Sequence, residues 1–213
     1  MNKEITFTQG WIEKSVRKAL KKERGGILQS DIEKIKYLRI GESFNNDFFV
    51  EMSTEEPPMP FVDTDGGDEW ALECMKNSDI SRFIDECMEE TQLFTFGFEF
   101  EDNELEKYAW SDVAIKNWNN YKTSIILDNY YEKSVNNVEW ENWYKQVKKS
   151  LAHELVLFTG VKVLRIKGLA FNDYIFLKSF PKLQVLEVVE TRFANYAGID
   201  ELKKLSQLCC WLD

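Results

Sequence analysis

The chain has 213 residues, 44% of them hydrophobic and 14% aromatic, enough for a real core and too apolar for a disordered chain. Its formal net charge of −10 is unevenly spread: Glu42 to Glu106 holds 20 acidic residues against Lys76 and Arg82 only, a local −18, while residues 10–39 carry nine Lys/Arg against four Asp/Glu. The acidic block argues against nucleic acid, whose phosphates need positive charge, and suits a basic protein partner or a solvated face. The first predicted element is the helix "WIEKSVRKALKKE", with Ile12, Val16, Ala19 and Leu20 on one face. Gly25–Gly26 is its expected stop. Ser30 and Glu33 then have capping-box spacing for a short second helix. Ile32, Ile35, Leu38 and Ile40 lead from it into a strand.

The middle of the chain, residues 42–150, is not low-complexity. "EEPPMPF" is a proline-rich loop and a possible boundary. "SDISRFIDECMEE" places Ile80, Phe83, Ile84, Cys87 and Met88 on one helix face, and "LFTFGFEF" alternates Phe94, Phe96, Phe98 and Phe100 as a half-buried strand does. "SIIL", 124–127, is a further strand. "VEWENWYKQVKKSLAHEL" is a helix with Trp140, Trp143, Tyr144, Val147 and Leu151 on one side. The stretch is either an acidic, aromatic-rich insertion or a set of divergent repeats.

The C-terminal part repeats. "GVKVLRI", "FPKLQVLEV" and "KLSQLCCW" share one spacing, and their middle leucines, Leu164, Leu186 and Leu208, stand 22 residues apart. The match extends upstream through Leu155, Leu177 and Ile199, and through Phe158, Phe180 and Leu202. A 22-residue period suits a unit of one short strand and a helical or irregular return. Leu186 and Val188 share a face because alternate strand side chains do, and Leu183 enters the same core from the bend.

Ile32, Ile35, Leu38 and Ile40 repeat the same offsets near the N-terminus. The stretch "FTQGWIEKSVRKALKKERGGILQSDIEKIKYLRI" resembles the N-terminal cap of bacterial leucine-rich repeat proteins: helix, glycine break, short helix, first repeat strand. The family's asparagine after the strand is missing from "RIKGLAFN" and "EVVETRF". The resemblance implies an α/β fold, a leucine-rich-repeat-like short solenoid with parallel strands and helical returns, interrupted by an α+β insertion. The expected organisation is a cap and first strand in 1–41, the acidic middle in 42–150 and three repeats in 151–213.

Catalytic motifs are not found. No nucleophile elbow, zinc-protease pair, P-loop or dinucleotide fingerprint is present. The single His153 reads as a helix histidine, facing solvent or satisfied by its neighbours. Asp63, Asp65, Asp68 and Glu69 surround two glycines, but the glycine and glutamate positions of a calcium loop do not match, so a turn with Asp68 as a helix cap is expected. Cys74, Cys87, Cys209 and Cys210 have no paired ligand spacing and read as buried apolar thiols. No catalytic residue, metal or cofactor is therefore expected. No apolar run approaches the ~20 residues of a membrane span, the opening residues lack a secretory apolar core, and a cytoplasmic location is expected.

A protein partner is expected on the strand positions between the inward residues: Tyr37, Arg39, Arg165, Lys167, Val185, Glu187, Val189 and Trp211. Their mixture of aromatic, aliphatic and Arg side chains is that of interface hot spots, unless the middle stretch folds over them. In-register stacking would set Arg165 beside Glu187 as an exposed pair worth about 0.5 kcal/mol. The expected function is a non-enzymatic protein-protein interaction module of leucine-rich repeat type. The alternative is a cytoplasmic immunity or inhibitor protein, its acidic surface covering a basic, nuclease-like bacterial toxin.

Overall fold

In a computed structural model, the described residues are 3–42, 48–57, 73–89, 123–127 and 137–210. In chain order they form β1 (Glu4–Ile5), α1 (Gly10–Leu20), β2 (Ile27–Leu28), α2 (Gln29–Ile32), β3 (Tyr37–Glu42), β4 (Phe48–Ser53), β5 (Glu73–Lys76), α3 (Asn77–Glu89), β6 (Thr123–Leu127) and α4 (Asn137–Leu155). Then follow β7 (Val163–Lys167), β8 (Ala170–Phe171), a 3-10 helix (Ile175–Ser179), β9 (Val185–Val189), β10 (Arg192–Phe193), a second 3-10 helix (Ile199–Lys204) and β11 (Gln207–Cys210). The fold is mixed α/β. One seven-stranded sheet runs β5-β11-β9-β7-β3-β4-β6. Its centre, β11-β9-β7-β3, is parallel, and antiparallel β4 and β6 on one side and β5 on the other close the array.

The 22-residue ladder is the spine of that sheet. Leu164 pairs with Leu186 and Leu186 with Leu208 on adjacent parallel strands, and Leu38 of β3 pairs with Leu164. The same backbone bond enters each unit: Lys162 N–H to Lys36 O, Gln184 N–H to Lys162 O and Ser206 N–H to Gln184 O, each 2.8 Å. The returns repeat too. β8 and β10 pair in parallel with Ala170 opposite Arg192, and a 3-10 helix follows each. The columns read from sequence are buried: Leu155, Leu177 and Ile199; Phe158, Phe180 and Leu202; Leu164, Leu186 and Leu208. All nine belong to one hydrophobic core on a single side of the sheet, completed by Ile12 and Val16 of α1, Ile80, Phe83 and Ile84 of α3, and Val147 and Leu151 of α4.

The turns leaving β7 and β9 are left-handed at the same position, Gly168 (φ 64°) and Glu190 (φ 47°). Glycine adopts that conformation freely, whereas an L side chain costs about 1–2 kcal/mol there. Glu190→Gly is therefore expected to raise the unfolding free energy by about 0.5–1 kcal/mol, read as a higher urea midpoint. Next in line, the Thr191 hydroxyl donates to Val189 O (3.0 Å) and to Ile166 O of the neighbouring unit (3.4 Å). Threonine thus ties two repeats together just past the strand, in the stretch where the sequence lacks asparagine.

Several local expectations are corrected. α1 ends at Leu20 because Lys21 turns left-handed and its N–H reaches back to Arg17 and Lys18, ahead of Gly25–Gly26. α2 begins before Ser30, so Ser30 and Glu33 do not form its cap; Asp31 Oδ2 accepts the Leu28 N–H at 3.1 Å instead. Hydrogen bonds from Lys22, from the Leu28 N–H and from Lys34 hold the Asp31 carboxyl well below its usual range. That clamp is present at neutral pH and is lost only as strong acid protonates the group. Met88, placed on the apolar face of α3, is exposed. Strands β4 and β5 are additional to the elements expected from the sequence. The Phe94–Phe100 strand, the Asp63–Glu69 turn and residues 58–61 of the proline-rich loop lie outside the described residues.

Candidate functional site

The second side of the sheet carries the residues expected to meet a partner. Register brings seven of the eight together. Tyr37, Val163 and Val185 form one row; Arg39, Arg165 and Glu187 the next; Gly41, Lys167 and Val189 a third. β4 extends the middle row with Glu51, and β11 with Cys209. Trp211 lies outside the described residues.

These side chains are buried within the chain, the covered arrangement that the sequence left open beside a solvent-facing row. Tyr37 and Val185 are fully buried, and Arg165, Lys167, Glu187 and Val189 nearly so; Arg39 is half-buried. The Arg165–Glu187 pair is therefore not a surface pair: Nη2 donates to Oε1 at 2.7 Å and Nε lies 2.7 Å from Oε2. At the other end of the row, Arg39 Nη1 stands 3.6 Å from Glu51 Oε2, with its guanidinium 4.8 Å over the Phe49 ring. The Tyr37 hydroxyl donates to the same Glu51 oxygen at 3.4 Å. Burial pushes the Tyr37 phenol above its ordinary range, against the pull of Arg165, so it stays a neutral donor.

This stripe sets register. A one-residue slip of β7 or β9 would turn Arg165 or Glu187 into the apolar core without its partner, and an unpaired buried charge is far costlier than a lost apolar contact. Cys209 closes the stripe as a disulfide-bonded residue, which corrects the expectation of buried free thiols.

An accessible site lies on the helical side. A cleft of about 640 Å³ runs between α4 and the first repeat return. One wall is Lys145, Lys148, Lys149 and His153 on α4, with Lys148 and Lys149 three and four residues after Lys145 and His153 four after Lys149; the other is Phe171 of β8, Asn172, Asp173 and Phe176 of the 3-10 helix. Phe171 and Phe176 stack at 4.3 Å and 12°, and Phe193 stacks behind Phe171 at 5.7 Å. Lys148 is held by Glu42 Oε2 at 3.0 Å and sits 4.6 Å over the Tyr144 ring, whose hydroxyl donates to Glu42 Oε1. Lys145 has a long exposed contact to Glu141, 3.8 Å. Exposed Lys149 and His153 make no ion pair among the described residues.

The cleft thus sets cations beside half-buried aromatic faces, a pairing that attracts acidic and aromatic side chains. Among the described residues no group of three or more His, Cys, Asp or Glu could hold a metal ion, and no helix is long and apolar enough to cross a membrane. The lysine spacing was visible in "WYKQVKKSLAHEL", but the opposing Phe171–Phe176 wall comes from the next unit and only the fold brings it near. Comparison of the chain with protein-family models, curated proteins and solved structures finds no match.

Proposed function

We propose that the chain is a non-enzymatic protein-binding module built on leucine-rich-repeat-like units. The observation that carries this reading is the parallel array with one 22-residue step in strands, returns and entry bonds alike. Stacked units of this kind are rigid platforms whose exposed positions carry recognition. With the second sheet face closed, recognition falls to the α4 cleft, where Lys149, His153 and the Phe171–Phe176 stack face outward together. Its partner is a protein segment bearing acid next to an aromatic or aliphatic side chain. A solvated helix face would account for the lysines alone but leaves the adjoining half-buried rings without a role.

A second reading, an immunity or inhibitor protein against a basic toxin, rests on the acidic block and its exposed α3 face, which includes Asp85. Photo-crosslinking separates the two. A photoreactive residue at Phe176 is expected to yield one discrete adduct in source cells, abolished by Lys149→Glu. A photoreactive residue at Lys204 is the control. A single adduct with a basic nuclease formed from Asp85, and none from Phe176, would favour the inhibitor reading. Equal yields from Phe176 and Lys204 would remove the cleft as a binding site.

A further inference from the structure

The far edge of the parallel array is closed by β5, and the chemistry of that closure is unusual. β5 runs antiparallel to β11, with Gln207 opposite Lys76, Leu208 opposite Met75, Cys209 opposite Cys74 and Cys210 opposite Glu73. Cys209 is disulfide-bonded and fully buried, and the Gln207 Nε2–H donates to its sulfur at 3.4 Å. The chain holds four cysteines in all. A bridge to the adjacent Cys210 would span Cα atoms only ~3.8 Å apart, below the usual range for a disulfide, whereas opposed residues of an antiparallel pair stand about 4.5–5.5 Å apart, inside it. The opposed residue is Cys74.

We infer that Cys74 and Cys209 form a reversible cross-strand disulfide that fastens the acidic β5–α3 unit to the edge of the repeat array, and that a dithiol reductant releases it. Two observations make the unit separable. Among the described residues β5 is paired on one side only, and the helix after it, which buries Ile80, Phe83 and Ile84 in the core, packs on the second 3-10 helix and β11 without entering the strand ladder. An edge strand detaches without breaking the central pairs, and local opening of this kind costs less than global unfolding.

The redox step balances as ordinary thiol–disulfide exchange. A thiolate of the reductant attacks one bridge sulfur and forms a mixed disulfide, and the other cysteine leaves as a thiolate and takes a proton. The reductant's second thiolate then closes on its own first sulfur. The second cysteine is released and protonated, and the dithiol ends as its cyclic or intramolecular disulfide. A dithiol of the thioredoxin class does this in a cell and dithiothreitol does it in a tube. Because Cys209 is buried, attack waits for β5 to lift, so the rate of reduction reports opening of the edge. A persistent disulfide belongs to an oxidising compartment; in a reducing one the same bridge works as a switch.

The test uses the full chain. Protein prepared without reductant and equilibrated with oxidised glutathione is denatured and alkylated. Two of the four cysteines are expected to stay unmodified, and proteolysis to give one linked pair of peptides carrying Cys74 and Cys209. Four alkylated thiols, or Cys209 linked to Cys87 or Cys210, would overturn the assignment. Dithiothreitol is then expected to speed amide exchange in β5 and α3 about tenfold or more while β7 and β9 stay protected. The midpoint of thermal unfolding should fall by about 5–15 °C. Unchanged exchange in β5, or an equal rise throughout the sheet, would overturn the release. Cys74→Ser should reproduce the local change without reductant, and the wild-type comparison stands if that variant does not fold.

Discussion

Arg165→Met is expected to lower the unfolding free energy by about 3–5 kcal/mol, the range found when one member of a buried ion pair is removed. Glu187 would keep a charge in a site almost without solvent, opposite a thioether that donates nothing. The paired variant Arg165→Met with Glu187→Met is expected to recover most of that loss, because two apolar side chains of similar length carry no desolvation cost. Urea unfolding of the two single variants and the double variant gives the coupling energy. Additive losses would show that each residue acts through other contacts, Tyr37 and Glu51 among them, and not through the pair.

The second large effect comes from Glu154, in the last turn of α4. Its Oε1 accepts the Gln9 N–H at 2.8 Å, the Thr8 hydroxyl at 2.5 Å and the Thr8 N–H. α1 has no cap of its own: Gln9, at the cap position, makes no side-chain cap bond. The carboxylate therefore caps α1 from 145 residues away. A negative charge suits the N-terminal end of α1 and opposes the C-terminal end of α4, but the three donors decide in favour of the first. Glu154 is buried, and its removal would take the acceptor from the Thr8 and Gln9 donors, so the site is costly to disturb. Glu154→Ala is expected to cost about 2–4 kcal/mol and Glu154→Gln about 1 kcal/mol, since the amide keeps an acceptor but not the charge. Amide exchange should localise the Ala loss to α1. Equal losses for the two variants would make charge, not hydrogen bonding, the dominant contribution.

Sequence reading succeeded where the physics is local or periodic. The ladder of Leu164, Leu186 and Leu208 was visible because one core face repeats every 22 residues, and in-register stacking of that ladder already placed Arg165 beside Glu187. What periodicity could not supply was the environment of the opposite face. "VLRIK" alternates apolar and charged residues, the pattern of a strand with one wet side, yet all five residues of β7 are buried. Strand β4 is not legible in the sequence because "FFVEMS" is mostly apolar and buried on both faces, so it shows no alternation. The cap from Glu154 and the opposition of Cys74 to Cys209 are non-local: each joins residues that only the completed sheet brings near. At α2, Ser30 and Glu33 matched a capping pattern by spacing, but Asp31, clamped by two lysines, holds the turn instead.

The account depends on the central strands being parallel, adjacent and stepped by 22 residues. Methyl–methyl nuclear Overhauser contacts in selectively labelled protein measure this directly, since adjacent strands lie about 4.8 Å apart and next-but-one strands about twice that. Cross-peaks are predicted from Leu38 to Leu164, from Leu164 to Leu186 and from Leu186 to Leu208, with none from Leu164 to Leu208. A spectrum lacking the Leu164–Leu186 and Leu186–Leu208 contacts in folded protein would contradict the array and every function argued from it.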